Sequence, residues 1–476
     1  QLTNAGWGRG INTGLHTLLP YDAGLSADGT ALMGLQDNGS AVITPEGKQI
    51  MAMGGDGFFV AIDPDNSNVM YEEYVGGDIS ISINGGKSSS DVDPGLSNAL
   101  FSTPFVLDIT NSKHLVTGGR EIVESLKGKA TQGNTNFETP DINAPKGSPN
   151  NDSDWVKVFD LGTQQHPGVA TAGRGPTGAL PVVGDPLGSE ISNQMSAVDT
   201  RGDATYVGYC GFCDIVTGGT PFNSGIATNV DGAKDPKAGT ANGWHIAKAK
   251  GLPKRYINSV RIDPYNDRTI YVTLGGYGRK WIPPGSLGDS VSRIGRGHVY
   301  KSTDAGATFH DISGNLPDIG AEDAIVFNGG LVVATDLGVY IGDVNGRHFQ
   351  VLGKGLPNAP VFRINRSPRN PRELIAASYG RGAYRVVVPA GYAGQPARVR
   401  SVYGQASVDP SSLAGPGAGT SVLGSVPLFS NMIMSEYASS TNLPRTSALA
   451  MILVLVMILM LAAGTALAER NKIDAG

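Results

Sequence analysis

The sequence has few of the residues that metal, redox and nucleic-acid sites need. It contains two cysteines, and its seven histidines are isolated from one another, so no pair has the spacing of a metal site. Its 37 Lys and Arg residues form no basic block and the formal net charge is -5, which argues against nucleic acid as a partner. Residues 63–68 (DPDNSN) and 148–154 (SPNNDSD) carry oxygen ligands suited to Ca²⁺, but turns are the favoured interpretation of both. We therefore predict no metal and no other cofactor.

The two cysteines lie close together in the stretch VGYCGFCDIV, as Cys210 and Cys213. A redox-active CxxC needs a helix N-terminus to lower the thiol pKa, whereas this one follows a predicted strand. A zinc site would need a second pair of ligands with suitable spacing, and the sequence offers none. A local disulfide between Cys210 and Cys213, formed in an oxidising compartment, is the predicted arrangement.

Turn-forming residues are abundant, with 67 glycines and 29 prolines, while 40% of the chain is hydrophobic. This composition indicates many short strands joined by turns around a large core. An apolar strand ending in Asp-Pro, a turn and a second apolar strand occur at Val60–Tyr74 and again at Val260–Leu274, with looser copies elsewhere. An aromatic residue followed by Gly/Asn-Leu recurs at Trp244–Pro253, Phe309–Pro317 and Phe349–Pro357. Seven such units predict an all-β fold, a seven-bladed β-propeller of four-stranded antiparallel blades.

The propeller is predicted to span residues 1–389. Its last unit shows only three strands, ending at Gly382–Pro389, and residues 7–15 (WGRGINTGL) have the spacing of the missing fourth strand. We therefore expect the N-terminal strand to complete the last blade and close the ring. Two polar insertions, residues 127–154 and 217–243, are expected to gather on one rim and to contact a partner or glycan.

A long uncharged hydrophobic run lies near the C-terminus. Residues 447–468 are long enough to cross a hydrocarbon core of about 30 Å, which predicts one transmembrane helix. Residues 390–446, rich in Gly, Ala, Ser and Pro, are predicted to form a stalk, and residues 469–476 a short cytoplasmic tail. The numbering starts at Gln1 without a secretory segment, so we expect that a signal peptide has been removed. These features predict a single-pass protein with its N-terminus outside, at the cell surface or the extracytoplasmic face of the membrane.

Residues 302–309 (STDAGATF) match the S-x-D-x-G-x-T-aromatic turn of BNR-repeat propellers, the Asp-box, and residues 82–88 are a degenerate copy. The stretches GLQDNGS, GGDGFFVAIDP and YGRGAY resemble bacterial secreted BNR-repeat proteins described as glycosyl-hydrolase-like. The resemblance extends from Trp7 to about Pro389. It implies the fold more than an activity, because the superfamily includes sialidases, xyloglucanases, sorting receptors and assembly factors. The Asp-box residues predicted to be structural are Ser302, Asp304, Gly306, Thr308 and Phe309, with Asp304 and Thr308 bonding the turn itself.

A glycosidase needs two carboxylates that flank a cleft. Resemblance to xyloglucanase-type enzymes, which use paired aspartates on propeller loops, makes Asp37 in LQDNG and Asp56 in GGDGF the catalytic candidates. Asp336 in ATDLG is a third carboxylate of the same kind. An aspartate before Gly or Asn-Gly is also a common turn former, and that role is the favoured interpretation for Asp37 and Asp56.

A sialidase-like site is disfavoured because it would need an arginine cluster, whereas Arg120, Arg363 and Arg381 are scattered along the chain. Two hypotheses of different classes remain open, and whether the protein is an enzyme is left undecided. The first is a membrane-anchored binding or scaffold module, a subunit of a cell-envelope or membrane complex. The second is a surface-tethered glycoside hydrolase that acts on a polysaccharide through Asp37 and Asp56.

Overall fold

Short apolar segments between glycine-containing turns form seven antiparallel sheets, which are the blades of a ring. The computed structural model describes residues 18–135, 140–165, 190–211, 224–275, 297–353, 355–388 and 399–401. Six of the sheets have four strands and one has five, and strands that follow one another in the chain are neighbours in their sheet. The predicted all-β fold, a seven-bladed propeller of four-stranded antiparallel blades, is confirmed.

Blades 1 to 3 come from the N-terminal part of the chain. Blade 1 consists of β1 (Pro20–Leu25), β2 (Ala31–Leu35), β3 (Gly39–Ile43) and β4 (Gln49–Met51). Blade 2 consists of β5 (Val60–Ile62), β6 (Met70–Glu73), β7 (Ile79–Ser82) and β8 (Ser90–Asp91). Blade 3 consists of β9 (Phe105–Leu107), β10 (Leu115–Gly118), β11 (Glu121–Ser125) and β12 (Val156–Asp160), with a short 3-10 helix at Gly128–Ala130.

Blades 4 to 7 follow in order. Blade 4 consists of β13 (Thr163–Gln165), β14 (Glu190–Arg201), β15 (Ala204–Gly211), β16 (Ser224–Thr228) and β17 (His245–Ile246), with a 3-10 helix at Pro236–Ala241. Blade 5 consists of β18 (Ile257–Asp263), β19 (Asn266–Leu274), β20 (Val299–Ser302) and β21 (His310–Asp311). Blade 6 consists of β22 (Ala321–Phe327), β23 (Gly330–Thr335), β24 (Gly338–Asp343) and β25 (Gln350–Val351). Blade 7 consists of β26 (Val361–Arg366), β27 (Glu373–Ser378), β28 (Gly382–Val387) and β29 (Val399–Ser401).

The inner strands of the seven blades are β1, β5, β9, β14, β18, β22 and β26. They pack against one another in chain order, and β26 packs against β1, which closes the ring. Aspartates on three inner strands reinforce the seams, because each carboxylate accepts a backbone N–H from the inner strand of the next blade. These bonds run to Asp22 from Val60 (3.4 Å), to Asp199 from Ile262 (2.7 Å) and to Asp323 from Ile364 (3.1 Å).

The core is divided into seven hydrophobic clusters, one between each pair of adjacent blades. This division follows from the alternation of side chains along a strand, since each blade presents an apolar face to both neighbours. In the described part of the chain, the cluster between blades 1 and 2 has the fewest buried members. They are Leu32, Val42, Val60, Ile62 and Met70.

The turn between β20 and β21 has the hydrogen bonding expected of a structural Asp-box. The Asp304 carboxylate accepts the backbone N–H of Thr308 at 2.8 Å and its hydroxyl at 2.7 Å, and the Gly306 N–H donates to Ser302 Oγ at 2.9 Å. Phe309 is buried beside the turn. The degenerate copy keeps the two backbone bonds, from the Ser88 N–H to Asn84 Oδ1 at 3.0 Å and from the Gly86 N–H to Ser82 Oγ at 2.9 Å. Its side-chain bond is reversed, because Asn84 Nδ2 donates to Ser88 Oγ.

Two of the boundaries predicted from the sequence differ from the structure. The edge position next to β28 is occupied by β29, so blade 7 takes its fourth strand from beyond Pro389, in the segment predicted to be stalk. The predicted closing strand, residues 7–15, lies outside the described residues. Part of the second predicted insertion is not a loop, because residues 224–228 form β16 inside blade 4.

Several other predictions fall on residues that the structure does not describe. Among the described residues, no helix has both the length and the apolar character needed to span a membrane, and residues 447–468 lie outside them. Cys210 is buried near the end of β15, whereas Cys213 lies outside the described residues, so the disulfide stays a prediction. The two oxygen-rich stretches form turns, in which Asp63 accepts the N–H of Asp65 and Asp152 accepts the N–H of Thr135.

Candidate functional site

Connections between strands alternate between the two faces of the ring because every blade is antiparallel. The connections from second to third strand, and from one blade to the next, share one face, which we call the upper face. Asp37 lies between β2 and β3, Asp56 between β4 and β5, and Asp336 between β23 and β24, so all three candidates are on it. The Asp-box turns and the described parts of the two insertions beyond β11 and β16 lie on the opposite, lower face.

Asp37 and Asp56 are brought together by two loops of blade 1 that lie against each other. The backbone N–H of Asp37 donates to Asp56 Oδ1 at 2.6 Å. The loops are also joined by backbone bonds from Gly39 to Gly55 (2.6 Å) and from Gly57 to Leu35 (2.9 Å). Asp37 has a φ of 57°, a left-handed conformation that aspartate tolerates in turns. The predicted turn role is therefore supported, and the loop contact places the Asp56 carboxylate against the backbone of Asp37.

Glycine at position 57 makes this close approach possible. A Cβ added there would lie 2.1 Å from the carbonyl oxygen of Gly39 and 2.7 Å from Glu72 Oε1. We expect Gly57→Ala to push the two loops apart and to lower the free energy of unfolding by about 1–3 kcal/mol, measured by denaturant titration. Gly54→Ala in the same loop is the matched control, because its Cβ would meet no atom within 4 Å. Equal losses for the two variants would contradict this explanation.

Five aromatic residues, which we call the aromatic cluster, surround this loop pair on the upper face of blades 7, 1 and 2. Tyr21 stacks on Phe362 at a centroid distance of 5.9 Å, and Phe362 lies 4.9 Å from Tyr379. Tyr21 also lies 4.9 Å from Phe58, which meets Phe101 edge-on at 5.4 Å. Phe58 and Tyr379 are buried and Tyr21 and Phe362 are half-buried, whereas Phe101 is 48% exposed.

The two phenols of the cluster converge on one amide. Tyr21 Oη donates to Gln36 Oε1 at 3.1 Å, and Tyr379 Oη donates to the same oxygen. Burial raises the pKa of both phenols, and the charges of Asp37 and Asp56 raise it further. The phenols therefore remain protonated donors, and both carboxylates lie close enough to act on them electrostatically.

A third carboxylate lies beneath the loops. Glu72 on β6 is 2% exposed, and neither of its carboxylate oxygens makes a hydrogen bond of good geometry among the described residues. Burial raises its pKa to about 7, and a weaker interaction with the Ser40 hydroxyl opposes that shift. Its Oε1 faces Gly57, the residue that follows Asp56. In the described part of the chain, Asp37 and Asp56 form no ion pair with a basic side chain.

Asp336 is separate from the other two candidates and pairs with Glu322 in blade 6. Their carboxyl groups share a hydrogen bond, and burial together with the Asp336 charge raises the pKa of Glu322. Asn258 Nδ2 donates to Glu322 Oε2 at 2.9 Å, which links this pair to blade 5. The structure therefore does not join Asp336 to Asp37 and Asp56.

A network of charged side chains fills the centre of the ring. Asp323 is fully buried and accepts hydrogen bonds from Arg261 Nε at 2.8 Å and Nη2 at 2.6 Å. The Arg363 guanidinium lies 3.9 Å from Asp323 and 4.7 Å from the ring centroid of Phe59 in the next blade but one. The charges of Arg261 and Arg363, with hydrogen bonds from Arg261 and Ser259, hold the pKa of Asp323 at about 2 despite its burial. This network holds the inner strands together.

The three arginines considered for a sialidase-like site have different surroundings. Arg363 belongs to the central network, and Arg120 forms a bidentate pair with Asp160 in blade 3 at 2.8 and 3.1 Å. Arg381 is exposed in the β27–β28 turn and donates to the carbonyl of Gly380. The structure does not bring these arginines together.

Sequence reasoning missed the aromatic cluster, Gln36 and Glu72. Two signals were present. Phe58 lies two residues after Asp56 in GGDGFF, and Tyr379 begins YGRGAY, so both lie in stretches that carry the family resemblance. Glu72 and Glu73 end a strand that begins with Met70 and Tyr71, and charged side chains are unusual at buried positions.

Comparison with known proteins gives no matching family model and no matching curated protein. Among solved structures, the chain resembles a GH74 xyloglucanase from Xanthomonas campestris, with 14% identity and a TM-score of 0.47 over 82% of this chain and 55% of the other. YCF48 from Cyanidioschyzon merolae has 10% identity to this chain and a TM-score of 0.44. The match covers 78% of this chain and 95% of YCF48. These are likenesses of the propeller fold.

A third solved structure with a similar fold belongs to a bacterial surface protein. PorZ, a bacterial surface component of the type-IX secretion system of Porphyromonas gingivalis, has 9% identity and a TM-score of 0.44 over 81% of this chain and 38% of its own. The chain spans about half the length of the xyloglucanase. At these identities the BNR-repeat likeness describes the fold alone.

Proposed function

We propose that this protein is an extracytoplasmic β-propeller that binds another macromolecule through its upper face, as a binding or scaffold subunit of a cell-envelope or membrane complex. The observation that carries the proposal is the grouping of Asp37, Asp56 and the half-exposed Phe101 on one face of a closed ring. Loops on a rigid scaffold are the usual place for binding residues, and aromatic side chains are enriched at protein interfaces.

The proposal includes the setting predicted from the sequence. Residues 447–468 would anchor the propeller in the membrane, and the segment between β29 and the anchor would serve as stalk. A disulfide between Cys210 and Cys213 would suit the oxidising side of that membrane. The partners would be other envelope or membrane proteins, or a glycan.

A second candidate function is glycoside hydrolysis, favoured by the neighbouring carboxylates of Asp37 and Asp56 next to aromatic rings. One observation weighs against it. Asp56 Oδ1 is engaged with the backbone of Asp37, whereas a nucleophile or general base needs a carboxylate directed at the substrate.

One experiment separates the two functions. The full chain is extracted from membranes in mild detergent, co-purifying proteins are identified by mass spectrometry, and the same fraction is screened for polysaccharide hydrolysis. We expect stable protein partners and no hydrolysis. A chain that purifies alone and cleaves a glycan, and that loses at least about 100-fold in rate in Asp37→Asn or Asp56→Asn, would establish the enzyme in place of the scaffold.

A further inference from the structure

The upper face of blades 1 and 2 carries two carboxylates that no basic side chain of the described residues pairs with. Asp37 is exposed and Asp56 is half-buried, and neither is in an ion pair within the described ranges. The buried carboxylate of Asp323 at the centre of the ring, by contrast, is paired with Arg261. Unbalanced carboxylates of this kind attract a positively charged ligand.

Glu72 is an independent sign that this location is built for positive charge. It is almost fully buried, its oxygens make no hydrogen bond of good geometry in the described part of the chain, and Oε1 is directed at the loop residue next to Asp56. A buried carboxyl group without a partner costs stability, so a fold that only needed a turn here would gain from an apolar residue instead. A cation held above the loop would offset this cost by attracting the carboxylate from outside.

Aromatic rings frame the same carboxylates. Tyr74 is 43% exposed and its ring covers Gly55, so that a Cβ added at Gly55 would lie 2.6 Å from it. Phe101 is 48% exposed and packs edge-on against Phe58. The face of an aromatic ring is negative and attracts ammonium and guanidinium groups, an attraction that carboxylates nearby strengthen.

We propose that the loop pair carrying Asp37 and Asp56, with the exposed rings of Tyr74 and Phe101, recognises a lysine or arginine side chain on an extended segment of the partner protein. This inference rests on the proposed binding function and names the chemistry of the partner. Charge complementarity favours a basic segment of the partner. The carboxylates would repel an acidic segment and would form no ion pair with a neutral one.

The test measures binding of labelled peptides to the full detergent-purified chain by fluorescence anisotropy. The probe alternates glycine and lysine, and the comparison peptides carry glutamate or acetyl-lysine at the lysine positions. We expect the lysine peptide to bind at least about tenfold more tightly than either, and the doubly substituted Asp37→Asn, Asp56→Asn chain to lose about tenfold in affinity. The matched control is Asp65→Asn with Asp203→Asn, which removes two exposed charges from lower-face turns and is expected to leave binding unchanged.

The outcomes separate this inference from the proposed function on which it rests. Equal binding of the three peptides, or equal losses in the upper-face and lower-face variants, would overturn the recognition of a basic side chain. If a natural partner still co-purifies with the double Asn variant but is lost with Phe101→Ala, the upper face binds its partner by another chemistry. If the partner is retained by all variants, the upper face is not the binding surface and the proposed function fails as well.

Discussion

Replacing Arg261 by methionine is expected to lower the free energy of unfolding by about 3–5 kcal/mol, because it would leave the buried carboxylate of Asp323 without its bidentate partner. The neighbouring Arg363 would not compensate, since its guanidinium lies 3.9 Å away and is held over Phe59. Urea or guanidinium titration followed by tryptophan fluorescence measures the change.

Arg120→Met is the matched control for this variant. Arg120 also pairs with an aspartate through two hydrogen bonds, but both partners are about one-third exposed. Partly exposed ion pairs of this kind contribute only about 0–1 kcal/mol to stability. The loss in free energy of unfolding should therefore be severalfold larger for Arg261→Met than for Arg120→Met. Similar losses for Arg261→Met and Arg120→Met would show that the central network does not hold the inner strands together.

Replacing Glu72 by glutamine is expected to stabilise the protein at pH 8 by up to about 3 kcal/mol and to change little at pH 4. Burial raises the pKa of this carboxyl group from 4.5 to about 7. Because the folded protein holds the proton more tightly than the unfolded chain, Glu72 contributes stability fully below pH 4.5, and that contribution is lost as the pH rises through about 7. Above that range the buried group is charged and destabilising.

The measurement is the free energy of unfolding of both proteins between pH 4 and pH 8. Glu46→Gln is the control, since Glu46 is exposed on blade 1 and hydrogen bonds from Thr44 and its own backbone lower its pKa. The Glu46→Gln replacement should therefore not increase the free energy of unfolding at pH 8. A pH-independent difference between wild type and Glu72→Gln would mean that Glu72 is not titrating within the folded protein.

Turn chemistry explains why the fold could be predicted from the sequence. The glycine-rich turns and the alternation of apolar residues specify strand pairs locally, and Ser302 to Phe309 specify one complete turn. Strands that are neighbours in the chain pair within one blade, so these local signals are enough to predict most of the strand pairs. The fourth strand of blade 7 was different, because the sequence of β29 has no aromatic or Asp-box signal and its partner lies beyond a long connection.

The candidate site could be predicted only in part. Asp37 and Asp56 stood out because they precede Asn-Gly and Gly in short turns, but their contact depends on how two loops of one blade fold against each other. The aromatic cluster joins Tyr21 to Tyr379, from opposite ends of the propeller sequence, and only ring closure brings them together. Nothing local in the sequence encodes such a contact.

The seam between blades 1 and 2 combines the smallest of the described hydrophobic clusters with a buried glutamate. A closed ring has no terminal repeat that can unfold first. We therefore expect its local opening to begin where the contacts between adjacent blades are weakest. That place lies directly under the loops of Asp37 and Asp56. The proposed recognition surface therefore lies over the part of the ring where we expect local opening to begin. A ligand bound there would hold blades 1 and 2 together and make the whole propeller more rigid.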